Sequence, residues 1–446
     1  MSSFIERPRY LCSLGGALST VTALPETIPV LHAASGCAGN IAWTQNGGSG
    51  LQVGGYCGGL NVPGSNVQER EVVFGGAERL REQIANTLEV MDGKLYVVMT
   101  GCVTEVIGDD VKAVVSEFRD GGTDIVSAET GGFKGNSYYG YDLVMQALVK
   151  QYVLRGRKKA AGSVNVFGIV PLMDVFWRGN LEGIRRLLEK LGLKVNTFFT
   201  GEDTLDGLKN AAEAELNIVV SEVYGVETAR IFEEVHDTPF VIAPLPIGPA
   251  GSDAFLRKVG KALSLDSAFI EEVIEKENTD YYRYIDPLIE AYNDLDLQRY
   301  AVVIGDANYA RAVTRFLSDD LGWLPELVVF TDQLNDDQKE ILETETVRLA
   351  SGLKPRVVFE TDTSEVLRYL NELYPKAGSG KYIRTFTPAF VVGSSLDREL
   401  AQSIGAAHLS LSFPVANRVV LDRGYSGYRG GLRLAEDLLS AAVAAR

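Results

Sequence analysis

The sequence predicts an α/β protein of three Rossmann-like domains, with parallel sheets covered by helices. Three observations predict it. Short apolar runs of strand length alternate with helix-length segments through most of the chain, and glycine stands at the ends of several of those runs. The length, 446 residues, is enough for two to four such units around a large buried core.

The first domain, placed at residues 1–160, opens with a helix over 12–24 that is rich in Gly and Ala. A strand over 27–32 follows, then a glycine-rich stretch from 36 to 64, a helix near 78–91, the apolar strand 94–100 and a helix near 104–120. The second domain, 161–295, has strands at 164–170, 195–200, 216–221 and 238–247, helices near 180–191 and 253–263, and a helical linker at 267–296. The third, 296–446, repeats the plan with strands at 299–305, 326–331, 356–359 and 389–392, and a helix at 309–319. Val303-Ile-Gly-Asp-Ala-Asn308 is half of a dinucleotide fingerprint but lacks the Gly-x-Gly-x-x-Gly spacing, so it reads as a plain strand-to-helix turn.

Hydrophobic residues make up 46% and charged residues 23%, ordinary for a soluble globular protein. No apolar run approaches the ~20 residues that cross a bilayer. The opening Met1-Ser-Ser-Phe-Ile-Glu-Arg-Pro8 has neither the basic nor the apolar region of a secretory signal. The expected location is the cytoplasm, with no membrane partner. Formal charge is −16, from 59 acidic and 43 basic residues, which repels polyanions. The run Arg155-Gly-Arg-Lys-Lys159 precedes an apolar strand and reads as a solvated connector, so no nucleic-acid partner is expected.

The four cysteines, Cys12, Cys37, Cys57 and Cys102, all fall in the first quarter of the chain. A disulfide framework suits small secreted domains, so metal or redox chemistry is the better reading. Cys12 opens a predicted helix, Cys37 lies just beyond a strand in Ser35-Gly-Cys-Ala-Gly39, and Cys102 stands between the strand ending at Thr100 and the next helix. Helix N-termini carry free N–H groups and partial positive charge, which favour thiolate over thiol and stabilise an anionic iron–sulfur cluster. Three ligands are one short of a four-cysteine cluster. Either Cys57 completes the set or another chain supplies the rest, and spacing does not decide between them.

The segments Cys12-Ser-Leu-Gly-Gly-Ala, Pro29-Val-Leu-His-Ala-Ala-Ser-Gly-Cys37 and Thr100-Gly-Cys-Val-Thr-Glu-Val-Ile-Gly-Asp-Asp110 resemble the cluster-binding signature of the nitrogenase component 1 family. Val73-Phe-Gly-Gly76, Gly132-Phe-Lys-Gly-Asn-Ser-Tyr-Tyr-Gly-Tyr-Asp142, Ser412-Phe-Pro414 and Gly424-Tyr-Ser-Gly-Tyr-Arg-Gly-Gly431 extend the likeness over most of the chain. The resemblance implies a β-type subunit in which Cys12, Cys37 and Cys102 hold half of an [8Fe-7S] P-cluster shared with an α-type subunit; a [4Fe-4S] cluster is the alternative. It also implies an α2β2 heterotetramer, an ATP-dependent [4Fe-4S] iron protein as reductase, and a catalytic cofactor in the α partner. No side chain of this chain is then a general acid or base. No cysteine follows Cys102, so an α-type cofactor site is hard to build. Gly132 stands where oxidised β subunits use a serine ligand, and the long N-terminal extension of molybdenum-type β subunits is missing. Both departures point toward alternative nitrogenases or nitrogenase-like reductases, including methylthio-alkane reductase. The rivals are a β-like subunit of a cofactor-assembly scaffold and a metal-free ligand-binding protein.

Other residues carry blander readings. Cys57 reads as a loop thiol. His32 reads as a satisfied buried histidine near the Cys37 segment, His236 as surface, and His408 as a strand residue without a cysteine companion. Asp109 and Asp110 are neighbours facing different ways and read as solvated or partner-facing rather than as an acid/base pair.

Overall fold

The computed structural model of the chain describes residues 5–52, 61–374 and 389–445. Among these residues the strands form three sheets, and all pairings within them are parallel. The first holds β1 (Thr27–His32), β2 (Leu95–Thr100) and β3 (Ile125–Ala128) in that order. The second holds β4 (Ala160–Phe167), β5 (Lys194–Asn196), β6 (Ala214–Val219) and β7 (Phe240–Ile242), ordered β5-β4-β6-β7. The third holds β8 (Tyr300–Gly305), β9 (Leu324–Phe330), β10 (Arg356–Phe359), β11 (Ala389–Gly393) and β12 (Ala407–Ser410), ordered β10-β9-β8-β11-β12.

The strands read as apolar throughout because helices cover both faces. In β2 every residue is buried, and alternate side chains serve different cores. Val97 and Met99 join the large core that runs through all three sheets, while Tyr96 and Val98 pack with Leu80, Ile84 and Val115 on the opposite face. Each such valine contributes about 1.5–3 kcal/mol by leaving water.

Where the structure departs from the sequence-based reading, tertiary partners explain it. The glycine-rich stretch from residue 36 begins as a helix, Ser35–Gly48. Ile41 and Gln45 lie one turn apart on its buried side, and the Gln45 amide donates to Gly15 O at 2.8 Å and Ser19 Oγ at 2.6 Å. The helix expected near 104–120 is two helices, Cys102–Val106 and Val111–Asp120, broken where Gly108 adopts φ of 77°. Asp306 caps the Ala307–Arg315 helix by accepting from Asn308 and Tyr309 N–H, so the half-fingerprint is a capped turn. Arg155 to Lys158 are exposed, but Lys159 turns inward to donate to the carbonyls of Ala212 and His236.

The segment leading to Cys12 is tied to the third sheet. Arg9 and Asp397 are each 2% exposed and joined by two bonds of 2.6 and 2.8 Å. Asp397→Ala would leave a buried guanidinium without its carboxylate, and a loss of about 3–5 kcal/mol is expected in chemical denaturation. Glu117→Ala, which breaks an exposed pair with Arg81, is expected to be near neutral.

Buried carboxyls stitch the second sheet to the third. Tyr224 OH and Ala307 N–H donate to Asp332 at 2.6 and 2.7 Å, while Asn180 and Tyr309 each donate to Asp174 at 2.9 Å. Burial pushes the Asp332 carboxyl up to about 7, and the charge of Asp306 adds to the effect. An unfolded aspartate titrates near 3.9, about three units lower. The folded chain therefore binds the extra proton between those values, and stability is lost as pH rises from about 4 to about 7. Asp332→Asn is expected to flatten that slope, by on the order of a few kcal/mol between pH 5 and pH 8. Urea denaturation at the two pH values checks it; an unchanged slope would contradict the assignment.

Candidate metal centre

The first sheet builds the site at its carboxyl end, where open α/β sheets place ligands. The connections that leave β1, β2 and β3 carry Cys37, Cys102 and Gly132, and Cys12 arrives from the opening helix. Each thiol stands at a helix start. Cys12 is the N-cap of Ser13–Ala23, Cys37 lies in the first turn of Ser35–Gly48, and Cys102 is the first residue of Cys102–Val106.

Cys12 and Cys102 are exposed free thiols, and Cys37 is half-buried. Gly132 brings the first two together. A Cβ placed there would lie 3.1 Å from Cys102 Sγ, 3.1 Å from Cys12 Cβ and 3.3 Å from Cys12 Sγ, so the glycine leaves room between the two sulfurs that a side chain would crowd. The Gly132 N–H donates to Cys102 Sγ at 3.1 Å. Cys37 feels both others: burial pushes its thiol up, and charge on Cys12 and Cys102 pushes it further. An electropositive ligand between the three would remove that penalty.

Among the described residues, no group of three His, Cys, Asp or Glu side chains gathers tightly enough for a single metal ion. A polynuclear cluster takes its thiolates on several irons, so its sulfurs stand further apart than the ligands of one ion. Two exposed thiols meeting at Gly132, with the half-buried Cys37 close enough to feel their charge, fit that demand.

The loop that presents Gly132 is held by a network that sequence reasoning missed. Glu105 accepts from Gly131 N–H at 2.6 Å and from Thr100 Oγ1 at 2.5 Å, and Lys134 pairs with its other oxygen at 3.0 Å. Thr130 N–H donates to Thr100 Oγ1 at 2.9 Å, and Ser13 Oγ donates to Gly131 O at 2.8 Å. A glutamate three residues after Cys102, in the first turn of a helix, was the available signal.

The remaining candidates resolve as follows. Cys57 lies outside the described residues. His236 is not a surface residue: it is 7% exposed, and its Nε2–H donates to Val149 O at 2.9 Å. His408 on β12 donates to Ser394 O at 2.9 Å. Asp109 is not solvated, since its side chain is 4% exposed and pairs with His32 at 2.9 Å. Asp110 caps the next helix by accepting from Ala113 N–H at 3.0 Å.

Large apolar side chains surround the Cys102 turn and stand in solvent. Phe74 is 84% exposed, Val106 75% and Phe133 62%. The Glu69–Phe74 helix has no buried residue. Among the described residues, no helix is long and apolar enough to cross a membrane.

Known proteins resemble this chain along most of its length. The chain is 25% identical to the nitrogenase molybdenum-iron protein beta chain of Sinorhizobium fredii, over 98% of this chain and 83% of that one. It is 23% identical to the nitrogenase iron-molybdenum cofactor biosynthesis protein NifE of Methanococcus maripaludis, over 94% and 80%. The solved structure "Nitrogenase Cp1 at pH 6.5" shares the fold with a TM-score of 0.80 at 18% identity, covering 100% of this chain and 94% of that one. Residues 12–442 match the family described as Nitrogenase component 1 type Oxidoreductase, and to that family this chain belongs.

Proposed function

We propose that this chain is the β-type subunit of a nitrogenase-like reductase, with Cys12, Cys37 and Cys102 supplying half the ligands of a P-cluster-type [8Fe-7S] centre. A homologous α-type subunit supplies the other half, in an α2β2 assembly. The observation that carries the reading is the meeting of exposed thiols beside Gly132, on a surface rimmed by unburied apolar side chains.

Bound there, the centre supplies one-electron redox chemistry. The chain's own residues set its frame. Helix starts present the three thiols toward the centre, and the Gly132 N–H donates to Cys102 Sγ. Glu105 and Thr100 keep the Gly131–Gly132 backbone in place, and no side chain of this chain serves as general acid or base. Cys12, Cys37 and Cys102 would hold the centre where it could take electrons from an ATP-dependent [4Fe-4S] iron protein docked across the subunit interface and pass them to a cofactor in the α partner. We propose a methylthio-alkane as substrate, cleaved by two electrons and two protons to an alkane and methanethiol; dinitrogen is the alternative. Gly132, without a side-chain oxygen to exchange onto iron, favours the nitrogenase-like reductase.

The likeness to the NifE protein favours a second reading, a scaffold for cofactor assembly. It predicts a four-iron [4Fe-4S] cluster held mainly by the partner's ligands. Turnover separates the two. The purified complex, given the iron protein, dithionite as electron donor, ATP and a methylthio-alkane or dinitrogen, is expected to release methanethiol or ammonia in proportion to ATP hydrolysed. Absence of both products with an intact cluster would overturn the reductase in favour of the scaffold.

A further inference from the structure

Behind the Cys102 turn runs a chain of buried side chains that the thiol site does not itself require. Ser65 Oγ lies 2.9 Å from His32 Nδ1, and His32 Nε2 lies 2.9 Å from Asp109 Oδ2. Ser65 and His32 are fully buried. The order is that of a hydrolytic triad, but with no solvent at Ser65 the hydroxyl has no substrate to attack. Its connections show a different use. The second oxygen of Asp109 accepts from Gly76 N–H at 2.7 Å, and Gly76 follows the exposed Glu69–Phe74 helix. His32 O accepts from Gly101 N–H and from Thr104 Oγ1, each at 2.8 Å. Those donors flank Cys102 on both sides, and Asp109 N–H closes back on Thr104 O at 3.2 Å. A Cβ on Gly76 would stand 2.5 Å from Asp109 Oδ2 and 3.0 Å from His32 Cε1, so the backbone after the helix presses directly on the pair.

We propose that Ser65, His32 and Asp109 form a positioning strut that ties the backbone after the Glu69–Phe74 helix to the Cys102 turn and so fixes where the Cys102 sulfur stands. The inference rests on the reading of Cys102 as a cluster ligand and adds the coupling to it. Gly76, Asp109 and the turn from Gly101 to Thr104 share one set of hydrogen bonds, and none can shift without the others.

The test uses the complex with its α-type partner. Asp109→Ala is expected to speed hydrogen exchange at the Gly76 and Gly101 amides together, with the Ser13 amide unchanged, and to displace both the EPR line shape and the midpoint potential of the centre. Asp109→Asn keeps an acceptor for Gly76 and a partner for His32, and is expected to restore parent values. Ser65→Ala, which cuts only the far end, is expected to move the same readouts in the same direction by less, and it stands in if Asp109→Ala does not fold. Parent-like exchange and potential in Asp109→Ala, or in Ser65→Ala where it stands in, would overturn the strut. A parent complex without any iron signal would instead overturn the cluster reading, while the exchange measurement still judges the strut.

Discussion

Replacing Cys102 with alanine is expected to strip iron from the assembled complex while leaving this chain folded. The side chain is exposed at the first position of a five-residue helix, so its truncation removes no core packing and costs roughly 0.5 kcal/mol or less. The thiolate has no substitute nearby. Gly132 offers an N–H but no side chain, and Glu105 is already engaged by Gly131 and Thr100. Even loss of an outer-shell partner typically costs 10–100-fold in metal affinity, so loss of the ligand should lower bound iron by about tenfold or more. Iron per complex and a thermal melt on the same sample read the two effects separately. Parent-level iron would show that Cys102 is not a ligand.

Two glycines hold the next largest effect. The Ser13–Ala23 and Ser137–Gln151 helices cross backbone to backbone: a Cβ on Gly16 would lie 1.6 Å from Ser137 O, and one on Gly140 would lie 1.9 Å from Ser13 O. No rotamer relieves a clash with a carbonyl, so the helices must separate. Gly140→Ala is expected to cost about 3 kcal/mol, the upper end of overpacking. Ser13 adjoins Cys12, so the same shift carries Cys12 away from Gly132 and iron should fall with stability. Gly39→Ala is the control. It faces open space in the Ser35–Gly48 helix and should gain up to about 1 kcal/mol from helix propensity. Urea denaturation of the three proteins tests the contrast.

Elements with strong local signals were legible in the sequence. The runs that became β1 and β10 were bounded correctly because each is apolar and ends at turn chemistry. Cys12 and Cys102 could be placed at helix starts, and Cys37 just beyond a strand, because each adjoins a readable element; the helix that Cys37 enters at Ser35 could not be read from its glycine-rich sequence. Other features depend on partners distant in sequence. The β3 run, Ile-Val-Ser-Ala, ends in small residues and lacks the aromatic that closes the equally short β10, and the Ser137–Gln151 helix opens with tyrosines and a glycine that favour other conformations locally. Its helical form is set by Gly16 and Gly140 lying against opposing backbone. His236 looked exposed because nothing near it in sequence shows that Val149 O waits on an adjoining helix. Asp109 was read as solvated or partner-facing and Glu105 was passed over for the same reason, since their meaning lies in Gly76, His32 and Gly131.

The proposition on which the rest depends is that Cys12, Cys37 and Cys102 ligate one iron–sulfur centre together with a second chain. The most direct measurement is Mössbauer and EPR spectroscopy of the anaerobically purified complex, with iron quantified for the parent and for the triple Cys→Ala variant. The account predicts an eight-iron centre in the parent that disappears in the variant while the two chains are both still folded. An iron-free parent, or the same spectrum in both proteins, would contradict it.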